Sequence, residues 1–140
     1  MQQSEPTGTG PSDRFIGDVW IDRLAGGEPG SRIRVNVVRF APGARTAWHS
    51  HAVGQTLHVM EGIGRVQSRG EPIVEVRAGD TVSTPADEWH WHGAAPERFM
   101  THLAMWEAPE SGEESSWAEQ VTDEEYAAAP RGDRRDQSGT

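Results

Sequence analysis

Cysteine and lysine are both missing from this 140-residue chain. Without a thiol there is no thiolate nucleophile, no iron–sulfur cluster and no disulfide, and the redox compartment is left open. Without a lysine, Schiff-base catalysis and covalent attachment of pyridoxal phosphate are excluded; all thirteen basic residues are Arg. There is no Gly-x-Ser-x-Gly elbow and no carboxylate pair marked by its context, so acyl or glycosyl hydrolysis has little support. Long apolar runs are lacking too, and no stretch approaches a membrane span. The opening residues, MQQSEPTGTGPSDR, have neither the basic start nor the apolar run of a signal peptide, so a cytoplasmic location is the default expectation.

The formal charge of −9 is unevenly spread. Residues 12–106 hold ten Arg against eleven acids, whereas residues 107–125 hold eight acids and no base. A nearly neutral body with an acidic end argues against nucleic acid or an anionic membrane as partner and leaves a small molecule.

What is plentiful points to β structure. Six Trp, nine Pro and sixteen Gly suit a turn-rich sheet protein better than a helical bundle, and the length allows one domain with one core. Short runs of alternating or apolar residues fall at 15–21, 32–40, 46–51, 55–61, 73–77, 81–85, 88–92 and 98–107, with Gly and Pro between them, as in a sandwich or barrel. RIRVNVVRF (32–40) is apolar on both sides and reads as a strand covered on both faces. Residues 1–11 are expected to be disordered, 12–107 to form the barrel, 108–128 a short helical extension and 129–140 a loose tail. Ser116 with Glu119, and Thr122 with Glu125, have capping-box spacing for one or two short helices, with Trp117, Val121 and Tyr126 available to dock on the barrel.

The chemistry lies in PGARTAWHSHAVGQTLHVMEG (42–62) and EWHWHGAAP (88–96). Successive side chains of a strand point to opposite faces, so His49 and His51 project the same way and Gln55 can join them from the next strand. His90 and His92 repeat the step. Imidazoles converging from neighbouring strands suit a divalent first-row metal, and an amide oxygen can complete the set. The same alternation turns Trp48, Trp89 and Trp91 away from the cavity, where they ask for cover from another sheet, the C-terminal helices or a second subunit; a homodimer or higher homo-oligomer is expected.

The spacing of Gly43, His49-x-His51, Gln55 and Gly62, followed by Gly79, Pro85 and His90, resembles the two motifs of the cupin family. The resemblance extends from Phe15 to Tyr126 and implies a single-domain all-β fold, a double-stranded β-helix or jelly-roll barrel with short C-terminal helices. Three positions depart from the common pattern: Gln55 where Glu is usual, Asp87 where Gly is usual, and Ala94 where Asn is usual. Within cupins, PGARTAWHSH, GQTL, HWHGAAP, MTHLA and VTDEEY are similar to small bacterial manganese-dependent cupins with hydroxynitrile lyase activity. That likeness implies His49, His51, Gln55 and His90 as metal ligands, with Mn2+ foremost and Fe2+, Ni2+, Co2+ or Zn2+ as alternatives. It places Asn36, Val38 and Phe40 on the inward face of one strand and Met100, His102, Ala104 and Trp106 on that of another. Leu57 and Val59 join them by alternation. Asn36 stands where the lyase-type pattern has a small apolar residue and Trp106 where it has a polar amide, which alters pocket shape and polarity.

Two readings of His92 and His102 stand side by side: acid or base groups beside a metal-held substrate, or hydrogen-bonded core histidines. His58 alternates against Gln55 and Leu57 and is read as outward. Four neutral ligands would leave a divalent ion its full charge and favour Lewis-acid over redox work. The expected function is therefore cleavage or formation of cyanohydrins, against a metal-dependent dioxygenase or a non-enzymatic small-molecule-binding module as alternatives.

Overall fold

The alternation read along the short runs becomes two antiparallel sheets that face each other. The computed structural model describes residues 5–131. Its strands are β1 (Gly8–Thr9), β2 (Phe15–Ile16), β3 (Val19–Ala25), β4 (Ile33–Phe40), β5 (Arg45–Thr46), β6 (His49–His51), β7 (Gln55–Ser68), β8 (Val74–Arg77), β9 (Thr81–Thr84), β10 (His90–Ala94), β11 (Met100–Glu107) and β12 (Ser115–Trp117), followed by one helix, α1 (Asp123–Ala127). The first sheet runs β1-β3-β4-β11 and continues through the first half of β7 to β9. The second is formed by the other half of β7 with β8 and β10, by β5 and β6 on β10, and by β2 and β12 at its margin. Every pairing is antiparallel, and the curled sheets make the jelly-roll barrel expected from the motif spacing.

β7 holds the two halves together because it belongs to both. The run at 55–61 is only the first half of this strand, which continues unbroken to Ser68 and has 14 residues. Its change of direction lies at Gly62, where φ is +81° and an added Cβ would meet the Phe99 carbonyl oxygen at 1.9 Å. A Cβ fits neither the backbone angle nor the space.

The inner faces bury Val19, Val38, Phe40, Leu57, Val59, Val76, Met100 and Ala104 as one cluster. The outer face of β4 is less covered than the sequence implies: Ile33 is 51% exposed and Val35 only half-buried. A second cluster forms outside the barrel from Trp48, Ile73, Trp91, Val121 and Tyr126, with Trp89 against it. The outward tryptophans thus pack against the chain's own C-terminal segment, the cover within the chain that the sequence also allowed. That segment is anchored by the buried Arg45, which donates to the Val121 carbonyl and to Asp123, both at 2.8 Å. Tyr126 donates its hydroxyl to the Ala94 carbonyl at 2.5 Å.

Several expectations for the ends are corrected. Residues 8–9, placed in the disordered N-terminal segment, form β1, pairing Gly8 with Ile21 and Thr9 with Trp20. Of the two capping boxes, only Thr122–Glu125 starts a helix, with both reciprocal hydrogen bonds made. Ser116 lies in β12, where it pairs with Ser50 at the edge of β6 and sets Trp117 opposite His49, a gain that a short isolated helix cannot match. Residues 1–4 and 132–140, the outermost parts of the expected loose ends, lie outside the described residues. Among the described residues no helix is long and apolar enough to cross a membrane.

Candidate metal centre

His49 and His51 face inward from β6, and His90 from β10 is the direct cross-strand partner of His49. One nitrogen from each of the three rings lies within 4.8 Å of the others. The ring centroids of His49 and His90 are 4.3 Å apart, those of His49 and His51 5.1 Å, and those of His51 and His90 5.5 Å. Gln55, the first residue of β7, brings its Oε1 to 3.1 Å from His90 Nε2.

Each ring is held from behind through Nδ1. His49 Nδ1 faces the Ala47 carbonyl at 2.9 Å and His90 Nδ1 the Glu88 carbonyl at 3.0 Å, so each neutral ring donates there and keeps the lone pair of Nε2 for the centre. His51 Nδ1 faces the Ser115 hydroxyl at 2.9 Å. Rings fixed in this way at one nitrogen and free at the other are the usual form of metal-ligating histidine.

Two features test whether a cation fits. His51 Nε2 is buried with no hydrogen-bond partner among the described residues, a costly arrangement in a metal-free interior. His90, with its single proton directed to Glu88, turns a lone pair towards the Gln55 oxygen 3.1 Å away, so two acceptors face each other. A cation among these atoms satisfies both. Burial, as the first cause, holds the pKa of His49 well below its usual value, brings His51 down to about 4, and lowers His90 as well; all three are neutral and ready to bind at physiological pH. The donors are three neutral nitrogens and one amide oxygen, a set suited to divalent first-row ions.

Beside this centre lies a cavity of about 820 Å³. Asn36, Val38, His92, Ala104 and Trp106 line it together with His49, His51 and Gln55, while Phe40, Leu57 and Val59 lie in the adjoining core and do not reach its surface. His92 packs its ring 5.1 Å from that of His49, and its Nδ1 is 2.9 Å from His102 Nε2. His102 is fully buried behind it, against Phe40 at 5.3 Å between ring centroids. His92 Nε2 has no partner among the described residues. Burial first, then the neighbouring imidazoles, holds His92 well below its ordinary pKa, and burial brings His102 down to about 4. His58 is turned outward and bonds Thr81 at 2.9 Å.

The rest of the wall comes from residues that sequence reasoning did not assign to the site: Arg14, Phe15, Glu114, Ser115 and Trp117. Trp117, expected only to dock on the barrel, stacks on His49 at 4.5 Å with 18° between the planes. Glu114 accepts from Trp106 Nε1 at 2.9 Å and from Arg34 Nε at 3.2 Å. Glu114, Ser115 and Trp117 lie in the acidic stretch and carry no local pattern that marks them; the pairing of β12 with β6 brings them over the cavity, while Phe15 arrives by the pairing of β2 with β5.

Fold and site together define a jelly-roll protein with a buried three-histidine cluster that could hold a metal ion, and the chain belongs to the cupin family. The cupin domain family model matches residues 36–104. An (R)-mandelonitrile lyase of Granulicella tundricola is 46% identical over 123 residues, covering 88% of this chain and 93% of that protein. A cupin-like protein of Thermotoga maritima superposes with a TM-score of 0.83 at 42% identity, covering 89% of this chain and 93% of the other. A cupin-2 domain of Rhodospirillum rubrum, with a TM-score of 0.67 at 18% identity over 87% of this chain and 78% of its own, shares the fold.

Proposed function

We propose that this protein is a metal-dependent hydroxynitrile lyase that cleaves cyanohydrins into an aldehyde and cyanide and, in reverse, forms them. The observation that carries the reading is that His49, His51 and Gln55, from the neutral donor set that His90 completes, open onto one cavity together with His92, which His102 backs. The likeness to an (R)-mandelonitrile lyase supports an aromatic cyanohydrin as substrate, and Phe15, Val38, Ala104 and Trp117 offer it an apolar wall. Mn2+ is the foremost occupant, with Fe2+, Ni2+, Co2+ and Zn2+ as the other divalent candidates for this donor set.

A bound divalent ion would supply Lewis-acid attraction for the substrate oxygen. The protein's own contribution is proton handling by buried imidazoles. His92 Nδ1 and His102 Nε2 share one proton across 2.9 Å. With that proton on His92 Nδ1, the Nε2 lone pair is free to accept the hydroxyl proton of a cyanohydrin. The bond between the carbinol and nitrile carbons then breaks, its electron pair leaves with cyanide as the carbonyl forms, and the proton on His92 Nε2 passes to cyanide. Burial suits His92 to this role because it holds the ring neutral at the start.

The test is cyanide release by metal-loaded protein from aromatic and aliphatic cyanohydrins. His49→Ala is expected to abolish both metal content and activity. His92→Ala is expected to keep the metal and lose about 10²–10⁴-fold in rate, the usual contribution of a positioned proton-transfer group. Metal-loaded wild-type protein that releases no cyanide across the panel would overturn the reading.

A further inference from the structure

The three imidazoles are not held alike. His49 and His90 each donate to the carbonyl two residues earlier in their own strand segment, so the local backbone fixes them. His51 depends instead on a side chain 64 residues away, the Ser115 hydroxyl at 2.9 Å. Carbonyls only accept, whereas a hydroxyl can accept or donate. With Nε2 committed to an ion, Nδ1 carries the ring proton and Ser115 Oγ must accept it; without Ser115 that N–H is left unpaired in an interior where water is largely excluded. Ser115 comes into place because β12 pairs with β6 in a register that sets Ser115 opposite His51 and Trp117 opposite His49. Ser116, between them, is exposed.

We infer that Ser115 is a positioning residue for the metal centre, fixing the ring of His51 so that its Nε2 points at the ion, and that the C-terminal strand is thereby part of the metal-binding apparatus. This deepens the metal reading above and rests on it. The strand does not merely roof the cavity. Its docking and the retention of metal are coupled, since one hydrogen bond belongs to both.

The experiment measures Mn2+ affinity of the full chain by competition with a chelator, for wild type, Ser115→Ala, Ser115→Thr and Ser116→Ala. Loss of an outer partner of a ligating histidine typically costs about 10–100-fold in metal affinity, and that loss is expected for Ser115→Ala. Ser115→Thr, which keeps the hydroxyl, should recover to near the wild-type value, and Ser116→Ala should leave it unchanged. The hydroxyl bonds His51 in the metal-free protein too, so Ser115→Ala should lower the metal-free melting temperature slightly, by the loss of one hydrogen bond, while Ser116→Ala leaves it in place. In the Zn2+-loaded protein, imidazole nitrogen NMR should show the His51 proton on Nδ1, held against exchange in wild type and exchanging freely in Ser115→Ala. Wild type that binds Mn2+ alongside an equally tight Ser115→Ala would sink this inference while leaving the metal site standing. Equal losses in Ser115→Ala and Ser116→Ala would transfer the effect from the hydroxyl to the strand and overturn it as well. Wild type that binds no Mn2+ would remove both readings together.

Discussion

Five imidazoles, His49, His51, His90, His92 and His102, are packed into the barrel with at most 4% of their surface exposed. Burial is the first cause that lowers the pKa of each, and neighbouring imidazoles add to it at His49, His51 and His92. For His51 and His102 the value falls from 6.5 to about 4. Since the folded value lies below the unfolded one, the unfolded chain binds more protons in this window. Stability is therefore full above about 6.5 and is lost as the pH falls towards about 4. His51 and His102 each change the unfolding free energy by about 1.4 kcal/mol per pH unit between these values, about 3 together, and His49, His90 and His92 add in the same direction. A domain of this kind holds about 5–15 kcal/mol in all. The metal-free protein should consequently lose a large share of its stability by about pH 5, where exposed carboxylates are still ionised.

The assay is urea unfolding after exhaustive chelation, followed by tryptophan fluorescence at a series of pH values from neutrality downwards. The midpoint should fall steeply with acid. His102→Gln, which keeps a hydrogen-bonding partner for His92 but removes one titrating ring, should reduce the slope by about 1.4 kcal/mol per pH unit. A midpoint that stays level from neutrality to about pH 5 would mean that the rings titrate as they do in water, and the argument from burial would fail.

Three further outcomes are expected. Gly62→Ala should cost about 4 kcal/mol or more, because the left-handed backbone and the 1.9 Å approach to the Phe99 carbonyl both oppose a Cβ; soluble protein with a near-native urea midpoint would contradict this. Tyr126→Phe should cost about 1 kcal/mol by thermal melting, since it removes the hydroxyl donor to the Ala94 carbonyl while leaving the ring packed on Trp91. Mn2+ at about a hundredfold excess over its dissociation constant should stabilise the fold by about 2.7 kcal/mol through binding linkage, and a melting curve unmoved by chelation of loaded protein would exclude an ion joining β6, β7 and β10.

Much of the barrel was legible because its signals are local. Period-two alternation, the Gly and Pro punctuation and the His-x-His steps all act within a few residues, and they place β4, β10, β11 and the start of β7 within a residue or two of where they lie. The departure at position 87 is legible in hindsight for a similar reason. The site has φ of +64°, which glycine meets freely, and Asp is among the few other residues that meet it at modest cost. The inward phase of β11, uncertain from its own residues, is set by its neighbours: pairing of Ala104 with both Asn36 and Leu57 turns Met100, His102 and Ala104 into the barrel.

The C-terminal segment was misread where local and long-range terms compete. Ser-x-x-Glu spacing at Ser116 is a fair helix start taken alone, but a helix of one turn gains little, whereas the edge of β6 gives Ser116 the backbone partner Ser50 and stacks Trp117 on His49. The box at Thr122 faces no such edge and keeps its helix, with Tyr126 as the buried residue. The same competition explains which site residues escaped notice. His49, His51, Gln55 and His90 sit in motifs whose spacing is itself the geometry, while Ser115 and Trp117 acquire their roles only from the register in which a distant strand pairs. A histidine ligand can therefore be read from a strand's own pattern, but the group that orients it cannot when that group arrives by tertiary pairing. Where Nδ1 is held by the chain's own carbonyl two residues back, as at His49 and His90, sequence alone would have sufficed. At His51 it would not.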